Sequence, residues 1–299
     1  MTKRKQFRLR LRSETLVLGE RTLIMGVLNV TPDSFSDGGK YDPPEMAVEH
    51  ALRLETAGAD LLDIGGESTR PGAQETSVSE ELDRILPVLE GLRGRLKIPI
   101  SVDTRRSAVA ELALRKGAQI INDVSGLRSD AGMAEVAAKH GVPLILMHMR
   151  GEPRTMQRGP FARNVVRDVA GGLRVSVAKA RKAGVRQSQI ILDPGIGFGK
   201  SQAQNYELIE KLSVFRELGY PLLIGTSRKG FLGATLARDG RPAPPEERIW
   251  GTAATVTASI LGGVHMVRVH DVVEMVEVAR VADCILNPRK APKSFHPAE

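Results

Sequence analysis

Cysteine is nearly missing from this chain. The only one in 299 residues is Cys284, so no internal disulfide can form, and a reducing cytoplasmic setting is expected. Aromatic residues make up 4%, which leaves few platforms for stacking single-stranded nucleic acid. The formal net charge of +8 would otherwise invite that reading, but the basic residues are spread along the chain, with a local excess in Lys3–Arg12. An anionic small molecule suits a positive field equally well, and no nucleic-acid partner is expected. No run of about 18 apolar residues occurs, so no membrane span is expected. The basic N-terminus MTKRKQFRLRLRS has no apolar segment behind it, so no secretory signal is expected. His and Cys nowhere fall at zinc-ligand spacing.

What is present is apolar in short pieces. The hydrophobic fraction of 41% supports a sizeable core. Eight brief apolar runs recur: Leu23–Leu28, Leu61–Ile64, Ile98–Val102, Gln119–Ile121, Leu144–Met147, Ile190–Leu192, Leu222–Ile224 and Met266–Val269. Several are apolar throughout, as in strands buried on both faces. Helical patterns lie between them: Glu45–Ala57, Glu80–Leu92 with Ser79 as its N-cap, Arg105–Arg115, Met133–Lys139, Asn164–Ala183, Asn205–Leu218, Glu246–Leu261 and Val272–Ile285. Such alternation makes a parallel sheet with right-handed crossovers, either a closed (β/α)8 TIM barrel or an open doubly wound sheet. Polar, chemically expressive residues follow nearly every run. Only a ring brings all of them to one mouth, so the expectation is a single α/β TIM barrel. An N-terminal hairpin extension over Phe7–Glu20, turning at Gly19–Glu20, would close its bottom. The expected division is a basic extension over 1–20, the barrel over 21–287 and a tail over 288–299. Arg238–Glu246, with Asp239-Gly240 and three prolines, reads as a loop.

Seven segments carry chemistry. MGVLNVTPDSFSDGG (Met25–Gly39) runs from a strand through Asn29 into a loop with Asp33 and Phe35, and its composition also suits an ordinary turn. DIGGESTRPGA (Asp63–Ala73) offers Thr69, Arg70 and Pro71 after paired glycines, a hydroxyl and a planar fork suited to anionic oxygens. SVDT and INDV place Asp103 and Asn122 at successive strand ends, where they could meet a flat heterocycle edge-on or cap helices. DPGIGFGK (Asp193–Lys200) nearly reads as a phosphate loop, but Pro194 stands where its first glycine belongs. Asp193 then serves as a further carboxylate and Phe198 as an apolar wall. GTSRKGF (Gly225–Phe231) sets Lys229 beside a helix start, where two cations oppose the macrodipole unless an anion is near. RVHD places Arg268 and His270 on one face of the last strand, where barrels usually hold phosphate. His148 could border a ligand or pack, and His140 and Cys284 read as structural.

In this order, over Met25–Asp271, the segments resemble dihydropteroate synthase. The resemblance implies a transferase of folate biosynthesis that joins 4-aminobenzoate to a dihydropterin methyl diphosphate and releases diphosphate. Position by position, it implies magnesium at Asn29. Asp103, Asn122, Asp193 and Lys229 would hold the pterin, and Thr69, Arg268 and His270 the diphosphate. Phe35, Arg70, Pro71, Phe198 and Gly230 would lie around the aminobenzoate, a site that sulfonamides target in the family. Asp103, Lys229, Arg268 and His270 would be the catalytic set. The resemblance also implies a homodimer. Many relatives carry serine where this chain has Gly230. Two rival readings are a pterin-binding methyltransferase, which would not need Thr69-Arg70-Pro71 or Arg268-Val269-His270, and a non-catalytic pterin-binding relative with a damaged motif.

Overall fold

The computed structural model describes residues 4–31, 43–68, 75–152, 155–156 and 158–291. Eight parallel strands form one sheet: β3 (Leu23–Asn29), β4 (Leu61–Gly65), β5 (Ile100–Asp103), β6 (Ile120–Asp123), β7 (Leu144–Met147), β8 (Ile190–Asp193), β9 (Leu223–Ile224) and β10 (Met266–Val269). Their order is β8-β7-β6-β5-β4-β3-β10-β9. A parallel bridge between Leu192 and Leu222 joins the two ends, so the sheet closes into a barrel. All eight apolar runs are therefore strands, and two match in both bounds.

The helices between them are α1 (Pro43–Thr56), α2 (Val78–Leu92), α3 (Ser107–Arg115), α4 (Gly132–His140), α5 (Val165–Lys182), α6 (Gln202–Glu210), α7 (Leu212–Arg216), α8 (Gly230–Thr235), α9 (Ile249–Leu261) and α10 (Val272–Leu286). Three details differ from the sequence reading. The cap of α2 is Ser77 rather than Ser79. Ser77 Oγ accepts from the Glu80 N–H at 3.2 Å, while Glu80 Oε2 accepts from the Ser77 N–H at 2.7 Å, a reciprocal pair available only at S-x-x-E spacing. The pattern over Asn205–Leu218 divides into α6 and α7 at Lys211. The short α8 is expected from the sequence only as a helix start beside Lys229, and it runs for six residues. The turn at Asp239-Gly240 is present: both residues have positive φ, between antiparallel bridge partners Arg238 and Arg241.

The N-terminal hairpin exists but turns elsewhere. β1 (Phe7–Arg10) pairs antiparallel with β2 (Thr15–Leu18), and the Leu11 N–H donates to the Glu14 carbonyl at 2.8 Å. The reversal is thus at Leu11–Glu14, not Gly19–Glu20. This register puts Leu9, Leu11 and Leu18, all buried, against Leu23, Met25, Leu61, Ile120, Ile145, Ile191, Leu223 and Met266. These are the inward residues at the lower ends of the strands, so the hairpin floors the barrel. Arg4 ties the arm down: its guanidinium donates to the Thr22 hydroxyl at 2.8 Å and the Val264 carbonyl at 3.0 Å, and it pairs with buried Asp283 of α10.

The alternate strand residues Ile24, Leu28, Leu62, Ile64, Val102, Ile121, Leu144, Leu146, Leu192 and Val267 face outward and pack with the helices. Strand side chains alternate with a period of two. One inward step above the apolar floor, each strand therefore presents its next residue to the interior: Asp63 above Leu61, Asn122 above Ile120, Asp193 above Ile191, Arg268 above Met266.

Candidate active site

Three polar members of that second inward layer, Asp63, Asn122 and Arg268, are paired with one another. Asp63 is fully buried. Its Oδ2 accepts from Arg268 Nε at 2.6 Å and from Asn122 Nδ2 at 3.0 Å. Arg268 Nη2 donates to Asp103 Oδ2 at 2.9 Å. The interior therefore holds a chain of contacts running Asn122–Asp63–Arg268–Asp103 across four strands. Asp63 Oδ1 is buried with no hydrogen-bond partner among the described residues. Burial pushes the Asp103 carboxyl up, and Asp63 nearby adds to that, while Arg268 opposes it. Burial works against the Arg268 cation, but the carboxylates of Asp63 and Asp103 hold its pKa above the ordinary guanidinium value.

Asp193 lies at the end of β8, and burial raises its carboxyl although Oδ1 accepts from the Gly195 N–H at 2.7 Å. Lys229 reaches across from the β9 end. Its Nζ donates to the Ile196 carbonyl at 2.8 Å and stands 3.9 Å from the centre of the Phe198 ring. Burial lowers the Lys229 ammonium to about 7, with Asp193 opposing. Gly197 is what lets the lysine in: its φ is +83°, and a Cβ there would fall 2.8 Å from Lys229 Cδ.

The loop carrying these groups is shaped by Lys200. Its Nζ donates to the carbonyls of His148 at 2.8 Å, Pro194 at 3.1 Å and Gly195 at 2.7 Å. Three acceptors use all three ammonium donors, so the geometry is that of a cation, although burial lowers its pKa. The Walker-like ending of DPGIGFGK thus serves backbone carbonyls of its own loop.

On the far side of the mouth, His270 follows β10. Its N–H donates to Ser227 Oγ at 3.1 Å, and its Nδ1 lies 3.0 Å from the same oxygen. Burial and neighbouring Arg268 lower its imidazole to about 3. Arg228 does not support the argument for an anion at the helix start: Asp271 neutralises it, accepting from Nε at 3.0 Å. His148 packs against Gly172, with Nδ1 unpartnered among the described residues and Nε2 3.8 Å from Asp168 Oδ2. His140 bonds Glu111 at 2.7 Å on the outside of the barrel.

Asn29 ends β3 half-buried and in register with Gly65. Magnesium takes oxygen donors and keeps waters and substrate phosphates among its ligands. No group of three His, Cys, Asp or Glu suited to a metal occurs among the described residues. A single carboxamide oxygen fits a cation whose other ligands come from water or substrate, and does not fit an all-protein cage. Gly230 begins α8, and a Cβ there would meet nothing within 4 Å, so glycine is not required by packing. Phe35, Thr69, Arg70 and Pro71, with Asp33, lie outside the described residues. The barrel gathers the other candidates, Asn29, Asp103, Asn122, Asp193, Phe198, Lys229, Gly230, Arg268 and His270, at the upper ends of its strands and the loops that follow. Asp63, Lys200 and Ser227 had not been named as site residues. Asp63 was findable, since it stands two residues after an inward leucine.

A closed parallel barrel with carboxylates, a carboxamide and cations around one mouth defines an enzyme that can grip a flat, hydrogen-bonding ring next to an anionic group. Residues 25–270 match the family of pterin binding enzymes. The chain is 49% identical over 268 residues to the dihydropteroate synthase of Bacillus subtilis, covering 90% of each. It also superposes on the Xanthomonas albilineans dihydropteroate synthase solved with 4-aminobenzoic acid (TM-score 0.87, 41% identity, 96% and 100% of the two chains). The Yersinia pestis enzyme in a sulfonamide complex gives a TM-score of 0.85 at 43% identity, with the same coverage. The chain belongs to the dihydropteroate synthases.

Proposed function

We infer that this enzyme condenses (7,8-dihydropterin-6-yl)methyl diphosphate with 4-aminobenzoate to give 7,8-dihydropteroate and diphosphate. The observation that carries the reading is the paired interior layer. Asp103, Asn122 and Asp193 offer acceptors and a carboxamide to the edge of a pterin, and Arg268 and His270 stand at the adjoining anion site. Lys229, close to neutrality, can donate to a ring carbonyl or nitrogen.

The reaction breaks the bond between the pterin methylene carbon and the diphosphate oxygen, and the electron pair leaves with the oxygen. Of five guanidinium N–H donors, Arg268 uses one on Asp63 and one on Asp103, so others remain for the departing oxygens. The ring spreads the positive charge left at the methylene, and Asp103 stabilises it by proximity. The aniline nitrogen then forms the new C–N bond and loses its proton afterwards, so no strong base and no covalent enzyme intermediate are needed. Magnesium, held by Asn29 and the diphosphate, would supply charge to the leaving group. Thr69 would join the diphosphate contacts. Phe35, Arg70, Pro71, Phe198 and Gly230 would frame the aminobenzoate, the position at which a sulfonamide would compete.

A homodimer and a cytoplasmic location complete the reading. The first is supported by exposed Trp250 on α9 and Val273, Val281 and Ile285 on adjoining α10. Among the described residues, no helix is long and apolar enough to cross a membrane. Purified protein incubated with magnesium and both substrates should release diphosphate in equal amount with dihydropteroate. Pterin binding without either product would sink the transferase reading in favour of a non-catalytic relative.

A further inference from the structure

Ser227 lies three residues after β9, and His270 directly follows β10, the neighbouring strand of the barrel. Ser227 is 5% exposed, so its hydroxyl must find its partners inside the protein. Two groups lie within hydrogen-bond distance of its oxygen, the backbone N–H of His270 and the ring nitrogen Nδ1 of the same residue. The N–H can only donate, so there the serine oxygen accepts. The hydroxyl hydrogen then has a single acceptor among the described residues, Nδ1. Were Nδ1 protonated instead, the oxygen would face two donors and its own hydrogen would be left unpaired in a buried site, a cost of about 1–3 kcal/mol. Nδ1 is therefore the acceptor, and a neutral imidazole places its one proton on Nε2. Nε2 has no hydrogen bond among the described residues and is not a buried atom, so it opens towards the mouth.

We propose that Ser227 is a positioning residue for catalysis: by donating to Nδ1 it fixes His270 as the Nε2–H tautomer, so that the ring meets the departing diphosphate as a hydrogen-bond donor without having to carry a charge. The proposal rests on the reading of His270 as a diphosphate contact. It fits the electrostatics of the site: burial and Arg268, with smaller contributions from Arg228 and Lys229, disfavour an imidazolium before the anion arrives, and Asp271 opposes them. The same serine holds ring and backbone of His270 together, which sets the ring's direction as well as its proton.

The experiment combines nitrogen NMR of the histidine rings with titration of inorganic diphosphate. In protein labelled with 15N-histidine, the His270 signals, assigned by their loss in His270→Gln, should show protonated Nε2 and unprotonated Nδ1 at pH 7. Ser227→Ala should lose that pattern, weaken diphosphate about tenfold and lower kcat/KM for the pterin diphosphate, while leaving the affinity for a pterin that lacks the diphosphate unchanged. Ser227→Thr, which keeps the hydroxyl, should restore all three. Retained pterin binding checks the fold of each variant. A His270 ring protonated on Nδ1 in the wild type overturns the proposal. So does an unchanged diphosphate affinity in Ser227→Ala when His270→Gln loses about tenfold. Unchanged affinity in His270→Gln would instead overturn the diphosphate reading itself.

Discussion

Arg268 and Asp63 are 205 residues apart in the chain, yet Nε of one donates to Oδ2 of the other at 2.6 Å inside the barrel. The pair does two things at once. It balances a fully buried carboxylate, and it anchors the guanidinium by the one N–H that lies off its fork, leaving the forked end for Asp103 and a substrate. Arg268→Ala should therefore fail in two ways. Turnover should fall at least about a hundredfold, the scale of a lost transition-state donor. Stability should fall by roughly 3–5 kcal/mol, because two carboxylates lose their cation. Pterin should still bind at low temperature. Stopped turnover assays, calorimetry and pterin titration separate the three, and an unchanged Tm would mean that Asp63 does not depend on the pair.

Gly197→Ala tests the path by which Lys229 enters the site. The added Cβ would lie 2.8 Å from Lys229 Cδ, at a φ of +83° that costs any L-residue about 1 kcal/mol. The lysine must move away from the Ile196 carbonyl and the Phe198 ring. Pterin affinity should drop about tenfold with only a small loss of Tm. A large loss of Tm with unchanged affinity would place the strain in the loop rather than at the lysine.

Lys229 itself should be a site where function costs stability. Its folded pKa of about 7 is below the unfolded value of 10.5. Between those values the unfolded chain binds the extra proton, so stability rises with pH through that window, and below 7 the full penalty of burying the ammonium remains. Lys229→Met should abolish turnover while raising Tm at pH 6 by a few degrees, on the scale of roughly 2–4 °C per kcal/mol. The gain should shrink as the pH is raised towards 10.5. A gain that is constant with pH would assign it to packing instead.

Three histidines act in the same direction at lower pH. His265 is lowered to about 4, and His148 and His270 to about 3, in each case chiefly by burial. Below 6.5 the unfolded histidines take up protons that the folded ones refuse, so stability falls as pH drops from 6.5 towards 4, by about 1.4 kcal/mol per unit for each. His265 Nδ1 accepts from the Leu222 N–H at 3.1 Å, and Nε2 lies 3.0 Å from the Lys5 carbonyl, so the ring ties the arm to the barrel floor. His265→Gln should lower stability overall yet flatten the acid slope by about one histidine's share. Denaturant midpoints across pH 4–7 give the slope directly, and an unchanged slope would remove His265 from the set.

Gly230→Ser should be tolerated, since a Cβ meets nothing within 4 Å. If the position borders the aminobenzoate carboxylate, the new hydroxyl adds one hydrogen bond to a charged group, and the KM for 4-aminobenzoate should fall by up to about tenfold. The KM for the pterin substrate should not change. Equal KM values for both variants would move the carboxylate away from Gly230.

The sequence by itself determined the eight strands, most of the helices and nine of the candidates that the barrel gathers at its mouth. The reason is local: buried strands are apolar runs, helices start and stop at caps, and Asp103, Asn122, Asp193 and Arg268 fall where those runs end. It also carried the family, through the ordered segments from Met25 to Asp271. Tertiary structure decided which of these groups touch. Asn122 meets Arg268 only through Asp63, and Ser227 meets His270 only because β9 and β10 are neighbours in a closed ring. Lys200, which reads as the end of a phosphate loop, holds three backbone carbonyls. The hairpin reverses at Leu11–Glu14 because Leu9 and Leu18 must both reach the barrel floor, a demand made by a cavity that no stretch of sequence contains on its own.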